Sequence, residues 1–179
     1  KVGSDLNKGT KDAPFLTINK AAKEARSGDQ VIVHAGEYRE WVRPEHGGRS
    51  DQEHIIYRAA EGEHVVIKGS EQITDWQRVD GDVWKVTLDN TFFGNYNPYQ
   101  EPLSGDWLIY PETYALHTGD VYLNGKSFYE AKSLAEVHNP VRREFGMNPP
   151  WTKHPEPLLH PEDTVYQWYT QVDDSHTVI

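Results

Sequence analysis

Residues 28–42 read GDQVIVHAGEYREWV, and the pattern of this stretch recurs further along the chain. Shifted by 24 positions, it lies over residues 53–66, EHIIYRAAEGEHVV, so that one apolar triplet falls on another and Trp41 falls on Val65. Each copy carries two short β-branched runs joined by small residues. A repeat of about this length with two strands per unit is typical of a stacked solenoid. Because one coil cannot bury its own apolar face, we expect further coils beyond these two.

A short helix is predicted just before the repeat. Thr17 is a suitable N-cap, and the apolar residues after it follow the spacing of one helix face: Ile18, Ala21, Ala22 and Ala25. Gly28 is the expected C-terminal stop. Such a helix can lie over the open end of a solenoid and shield its backbone edge, although an ordinary surface helix packed on a sheet is the alternative. Residues 1–16 are predicted to form an irregular entry segment.

The overall composition excludes several classes of protein. The 179 residues carry a net charge of −10, and 12% of them are aromatic. This acidic balance argues against a nucleic-acid partner and against an anionic membrane, since both need clustered Lys and Arg, and mildly against a polyanionic substrate. The sequence has no cysteine and therefore no disulfide framework, and no apolar run approaches the ~18 residues of a membrane span. The compartment, whether cytoplasmic or secreted, is left open.

The character of the sequence changes after Gly69, where the repeat stops. Five of the six tryptophans and eight of the ten tyrosines lie beyond this point. Asp80-Gly81 and Asn124-Gly125 each separate two apolar runs, which is a strong signal for a hairpin. Antiparallel hairpins of this kind favour a β-sandwich.

The remaining segments give weaker signals. Residues 166–172, YQWYTQV, alternate with period two and predict one more strand. Residues 131–161 are polar and rich in proline, which predicts a long loop with helical character near residues 133–137. Residues 176–179 resemble the opening of a strand, and we therefore expect the chain to be part of a longer protein.

The acidic residues form four close pairs in sequence: Glu37 and Glu40, Asp51 and Glu53, Glu61 and Glu63, and Asp80 and Asp82. General acid–base catalysis needs two groups in differently tuned environments around one substrate. Most of these pairs flank turns, so a solvated surface is favoured. His154 and His160 lie six positions apart among prolines, which does not support a zinc site. No metal site, cofactor or catalytic residue is predicted within this chain, and no nucleotide-binding or serine-nucleophile motif is present.

Trp107 is the one candidate for substrate binding. It follows Ser104-Gly105-Asp106 in a glycine-flanked loop, where an aromatic side chain can reach a ligand more easily than in the middle of a hairpin. Tryptophan can stack on the apolar face of a sugar ring. The other aromatic residues beyond Gly69 are predicted to fill the core of the sandwich.

Short motifs run through the chain, beginning with GSD at residues 3–5, GT at 9–10, PFLTINKAA at 14–22, GD at 28–29, Gly36 and YREWV at 38–42. This opening resembles the first coil of right-handed parallel β-helix enzymes that act on carbohydrates. The motifs continue with YRAAEGE at 57–63, IKGSE at 67–71, WQRV at 76–79, FFG at 92–94, NPY at 97–99, GDWL at 105–108 and GDVYLNG at 119–125. Together they resemble the β-xylosidases of glycoside hydrolase family 120 over nearly the whole chain, least in the proline-rich loop.

The resemblance implies a mainly β fold. Residues 1–69 would form a capping helix and the first coils of a right-handed parallel β-helix, and residues 70–179 an inserted antiparallel β-sandwich. It also implies a retaining, exo-acting enzyme that releases xylose from xylo-oligosaccharides or acts on another neutral oligosaccharide, with two carboxylates about 5–5.5 Å apart. In the family both carboxylates come from later coils, so none is assigned here, whereas Trp107 matches an aromatic position that lines the sugar pocket. The remaining coils would come from the same polypeptide or another chain, and homo-oligomer formation is left open.

Two other classes of function stay open at this point. A β-helix polysaccharide lyase would abstract a proton with a Lys or Arg base, often beside calcium, and the acidic balance disfavours it. A non-catalytic carbohydrate-binding protein would use the aromatic sandwich directly, and loss of binding in Trp107→Ala would favour that interpretation.

Overall fold

The computed structural model describes residues 3–106, 108, 114–146 and 151–179. The chain is mainly β and divides into two compact units, Lys1–Ile73 and Thr74–Ile179. We call them the first and the second unit. The first unit contains α1 (Ile18–Glu24), β1 (Gln30–Val33), β2 (Gly36–Arg39), β3 (Ile56–Ala59) and β4 (Val65–Lys68).

The strands of the first unit stack in parallel. Strand β1 pairs with β3, with Gln30 opposite Ile56, and β2 pairs with β4, with Gly36 opposite Val65. Two strands in one turn of the chain therefore lie on the same two strands in the next turn. The sequence repeat predicts this parallel pairing. Parallel strands that lie side by side need a long connection between them, and a repeated unit of two strands provides it.

The predicted repeat of 24 residues is wrong in register. Gln30 and Ile56 are 26 positions apart, whereas Gly36 and Val65 are 29 positions apart. The connection from β3 to β4 is longer than the one from β1 to β2, and a comparison without gaps cannot detect that difference. Trp41, which the repeat places on Val65, lies beyond the end of β2 and is 81% exposed.

Helix α1 begins where the sequence predicts. The Thr17 hydroxyl accepts a hydrogen bond from the Lys20 N–H at 3.0 Å, as expected of an N-cap. The predicted apolar face is also confirmed, since Ile18, Ala22 and Ala25 are 4%, 0% and 6% exposed. Burial of these small side chains holds the helix against the rest of the first unit.

The end of α1 differs from the prediction. The helix ends at Glu24, so Gly28 is not its stop and instead forms the following turn with a φ of +89°. The Arg26 N–H, which a continuing helix would direct to the Ala22 carbonyl, donates to the Asp29 carboxylate at 2.8 Å. That carbonyl accepts a hydrogen bond from the Glu45 N–H at 3.4 Å.

Asp5 ties the irregular entry segment to the start of α1. Its carboxylate accepts hydrogen bonds of 2.9 Å from the N–H groups of Leu16 and Thr17 and from the Thr17 hydroxyl. Partial burial raises the pKa of the Asp5 carboxyl, but these donors outweigh the effect and hold the pKa below its ordinary value. The ionised carboxylate therefore stabilises the folded first unit.

We expect Asp5→Ala to lower the stability of the first unit by about 1 kcal/mol, because three donors, of which those of Thr17 are part-buried, lose their acceptor. The folded-state pKa is depressed, so the contribution of Asp5 is complete above the unfolded-state pKa and is lost as the pH falls through the folded-state value. Hydrogen exchange of the Leu16 and Thr17 amides should accelerate in Asp5→Ala at neutral pH. Asp51→Ala, in an exposed turn, is the control. Equal exchange in both variants would contradict the role of Asp5.

The second unit consists of short strands, one α-helix and two 3-10 helices among its described residues. These are β5 (Gln77–Asp80), β6 (Val83–Lys85), β7 (Thr87–Asp89), a 3-10 helix (Asn90–Phe93), β8 (Tyr122–Leu123), β9 (Lys126–Ser127), β10 (Tyr129–Glu130), α2 (Leu134–His138), a second 3-10 helix (Pro161–Val165), β11 (Gln167–Trp168), β12 (Gln171–Val172) and β13 (His176–Val178). Helix α2 confirms the helical character predicted inside the proline-rich segment. No helix in the described parts of either unit is long and apolar enough to cross a membrane.

Both predicted hairpins are confirmed. Strands β5 and β6 pair in antiparallel fashion around Gly81, and β8 and β9 pair around Asn124 and Gly125. The three turn residues have φ angles of +50°, +53° and +79°. Glycine and asparagine tolerate this left-handed region, which explains why the dipeptides are a reliable signal.

The single strand predicted for residues 166–172 is in fact two strands with different partners. Strand β11 pairs in parallel with β10, whereas β12 pairs in antiparallel fashion with β13. Between them Thr170 is buried, and its hydroxyl donates to the Val178 carbonyl at 3.1 Å. The alternating pattern is real, but the chain changes its sheet partner in the middle. Strand β13 also pairs with β7, and it is the central strand of a three-stranded sheet.

Candidate functional site

Trp107, the predicted sugar-contacting residue, lies outside the described residues, so its role stays a prediction. The residues on either side of it are described. The Leu108 N–H donates to the Gly105 carbonyl at 3.2 Å, and Gly105 has a φ of +137° that favours glycine. The site can therefore be built from the segments that carry this loop.

Backbone hydrogen bonds join the two segments that flank residues 104–115 in sequence, and we call residues 97–103 with residues 116–120 the stem. Its hydrogen bonds run from the Leu103 N–H to the Leu116 carbonyl at 2.7 Å, and from the Thr118 N–H to the Glu101 carbonyl at 3.0 Å. A third bond runs from the Gly119 N–H to the Pro98 carbonyl at 2.9 Å. The stem determines where the chain leaves for residue 104 and where it returns after residue 115.

A carboxylate on strand β10 secures the stem. Glu130 accepts a hydrogen bond from the His117 N–H at 2.7 Å, and its second oxygen lies 2.5 Å from His117 Nδ1. The two side chains are only 9% and 19% exposed. Hydrogen bonds to an ionised acceptor in such a place are stronger than neutral ones. The interaction therefore links the stem to the sheet of β10 and β11.

Tyr99 packs the stem against the aromatic residues of the second unit. Its ring packs edge-on against Trp168 at 5.5 Å and against Phe93 at 5.7 Å between ring centroids. Its hydroxyl donates to the Asp120 carbonyl at 2.9 Å. Desolvation, with a smaller effect from the Asp120 carboxylate, raises the pKa of Tyr99, so the phenol stays protonated and available as a donor.

Gly119 allows this close approach. A Cβ atom at that position would lie 2.8 Å from two carbons of the Tyr99 ring. The motifs at residues 97–99 and 119–120 thus form one packed structure, although they lie about 20 positions apart. No local pattern indicated the pairing of His117 with Glu130, because the two residues belong to separate elements.

Three of the paired acidic residues, Glu37, Glu40 and Glu63, have structural roles in the first unit. Glu37 lies between Arg39 and Lys68, and a hydrogen bond from Lys68 is the main cause that lowers the pKa of Glu37. Glu40 accepts hydrogen bonds from the first turn of α1 at 2.7 and 3.0 Å. The Ala35 N–H donates to Glu63 and lowers the pKa of that carboxyl. The lowered pKa values of Glu37 and Glu63 make both carboxyls poor general acids at neutral pH, and Glu40 is engaged at the start of α1.

One group in the described part of the chain has the composition of a metal site. His160, Glu162 and Asp163 have potential ligand atoms within 4.8 Å of one another. However, Asp163 Oδ1 lies 2.6 Å from Lys126 Nζ, and this hydrogen bond raises the pKa of Lys126. The carboxylate of Asp163 is thus already paired with a cation, which disfavours a metal ion at this group. The geometry is that of a surface ion pair, and His154 does not belong to it.

These features define a mainly β protein with an aromatic, hairpin-containing second unit. Residues 73–179 match the family model described as "Glycoside hydrolase 120, insertion domain", and residues 1–45 match "Protein of unknown function (DUF1565)". The first match covers more than half of the sequence. The chain therefore belongs to glycoside hydrolase family 120, which confirms the family expected from the sequence.

Two individual proteins are similar to this chain. A solved structure described as "The complex structure of XylC with xylose" is 52% identical, with a TM-score of 0.93 over 98% of this chain and 27% of that chain. The "Uncharacterized protein YwoF" of Bacillus subtilis (strain 168) is 42% identical over 67 residues, which are 37% of this chain and 14% of YwoF. The chain thus spans about a quarter of XylC and a smaller share of YwoF.

Proposed function

We propose that this chain belongs to a retaining, exo-acting glycoside hydrolase that releases xylose from xylo-oligosaccharides. The observation that carries the proposal is the 52% identity to XylC, whose structure holds xylose, over 98% of this chain. Membership of glycoside hydrolase family 120 supports the same reaction class. The net charge of −10 agrees with a neutral rather than an acidic oligosaccharide.

The proposed architecture assigns residues 1–69 to a capping helix and the first coils of a right-handed parallel β-helix. The parallel pairs β1–β3 and β2–β4 support this assignment, and all four residues of β3 are exposed, as expected of an edge that further coils would cover. Residues 70–179 would be the inserted β-sandwich. The antiparallel hairpins and the three-stranded sheet of the second unit support this part.

The proposed chemistry divides the work between this chain and later coils. A retaining mechanism needs a nucleophilic carboxylate and an acid/base carboxylate about 5–5.5 Å apart. We assign both to residues outside this chain, since the resemblance to family 120 implies that both come from later coils of the β-helix. Trp107 would supply an apolar platform for a sugar ring, on a loop carried by the stem. No metal or cofactor is required by this reaction.

Product analysis tests the proposal. The whole protein should shorten xylotetraose by one xylose unit at a time, with xylotriose as the first partner product. Proton NMR at early times should show β-xylose before mutarotation, because a double displacement retains the configuration. Cleavage in the middle of the chain or release of the α-anomer would each reject the proposed reaction.

A further inference from the structure

A groove in the first unit lies beside helix α1 and contains an exposed tryptophan. It has a volume of about 600 Å³ and is lined by Asn19, Lys23, Trp41, Arg43, Pro44 and Glu45. Pockets for small ligands fall in the same range of roughly 300–1,000 Å³. Trp41 is 81% exposed although it is the largest apolar side chain of the segment. An indole left in water inside a groove of polar side chains is suited to bind a ligand.

The segment that carries Trp41 is anchored to α1 on both sides of it. Before Trp41, the Glu40 carboxylate accepts hydrogen bonds from the first turn of the helix. After it, the Arg43 N–H donates to Asn19 Oδ1 at 2.9 Å, and the Glu45 N–H donates to the Ala22 carbonyl at 3.4 Å. The backbone that bears Trp41 is thus held in place before any ligand arrives, which lowers the entropic cost of binding.

The polar groups around the indole match sugar hydroxyls. Lys23 and Arg43 can only donate hydrogen bonds, whereas the carboxylate of Glu45 can only accept them, and the Asn19 amide can donate. A hydroxyl group both donates and accepts, so neighbouring hydroxyls of one ring can use both types of partner. The lining holds two cations and one carboxylate on a chain of net charge −10, so it combines both signs and does not present the purely basic surface that a polyanion prefers. The mixture of groups therefore favours a neutral pyranose.

We propose that this groove is a carbohydrate-binding site in which Trp41 stacks on one pyranose ring of a neutral oligosaccharide. Arg43, Lys23 and Glu45 bind the hydroxyls of that ring. The inference goes beyond the proposed function, because it concerns binding to the first unit and requires no hydrolysis.

The test uses the whole protein labelled with 5-fluorotryptophan and titrated with xylotetraose or cellotetraose. The Trp41 resonance is identified by its loss in Trp41→Phe. We expect it to shift in a saturable way with at least one of the two sugars. In isothermal titration calorimetry, which does not depend on the Trp41 resonance, Trp41→Ala should weaken this binding by ~10-fold and Trp41→Tyr should retain most of it, because stacking needs a flat ring. Trp151→Ala, at another exposed tryptophan, is the matched control and should bind normally.

The outcomes separate this site from the proposed function. A Trp41 resonance that does not move with either sugar up to about 10 mM overturns the carbohydrate site, even if xylose is released normally. Equal binding in wild type and Trp41→Ala also overturns it. Binding at Trp41 in a protein that does not cleave xylotetraose supports the site and rejects the proposed function instead.

Discussion

Trp168→Ala is expected to lower the free energy of unfolding of the second unit by about 3–5 kcal/mol. Trp168 is 5% exposed, its ring packs edge-on against Tyr99, and its backbone carbonyl accepts a hydrogen bond from the Ala131 N–H at 2.7 Å. Truncation removes a large buried apolar surface and leaves a cavity below the stem. Few single substitutions in this unit should cost as much.

Hydrogen exchange of the Tyr129 and Ala131 amides measures this effect in the whole protein. These N–H groups donate to the carbonyls of Tyr166 and Trp168, so they exchange when β10 and β11 separate. In Trp168→Ala we expect exchange to accelerate about 100-fold or more. Trp151→Ala removes an exposed tryptophan, 71% accessible, and should leave both amides unchanged. Equal protection in the two variants would show that Trp168 is not part of the core of the second unit.

Glu130→Ala is expected to cost about 2–4 kcal/mol and to loosen the stem. The backbone N–H and the imidazole of His117 would both lose their acceptor in a largely buried place. Since the proposed function places Trp107, between the two segments of the stem in sequence, in the sugar pocket, the KM for xylo-oligosaccharides should rise while kcat changes less. Glu130→Gln keeps one acceptor for the His117 N–H, so its effect should be intermediate.

Exchange of the Leu103, Thr118 and Gly119 amides distinguishes a loosened stem from a general loss of structure. These three should exchange faster in Glu130→Ala before the amides of β13 do. Glu144→Ala is the matched control, because Glu144 forms a surface pair with Arg142 in which both side chains are more than half exposed. Unchanged exchange in the stem of Glu130→Ala would contradict the role given to Glu130.

Features of the fold that depend on neighbours in sequence could be predicted from the sequence. Thr17 begins a helix by capping it, and the turns at Gly81 and Gly125 need backbone angles that glycine adopts easily. The register of the parallel strands could not be read, because it depends on the unequal connections between them. The end of α1 could not be predicted either, because it depends on the hydrogen bond that the Arg26 N–H donates to the Asp29 carboxylate.

The candidate site likewise contains features that the local sequence predicts and features that depend on distant contacts. The glycine-flanked loop made Trp107 a candidate from its local sequence alone. The stem depends on contacts between residues far apart in sequence, such as Glu130 with His117 and Gly119 with Tyr99. The periodicity of a sequence does not indicate such contacts. The sequence did not point to the role proposed for Trp41 for a related reason. The repeat placed it in a strand, whereas it lies beyond β2 in a segment anchored to α1.

The central claim is that this chain is one part of a family 120 xylosidase whose catalytic carboxylates lie elsewhere in the protein. Hydrolysis of an aryl β-xyloside tests it most directly, with the whole protein and the 179-residue chain assayed side by side and the chain checked for β-structure by circular dichroism. We predict hydrolysis by the whole protein and none by the chain alone. Hydrolysis by the isolated chain, or none by the folded whole protein, would contradict this account.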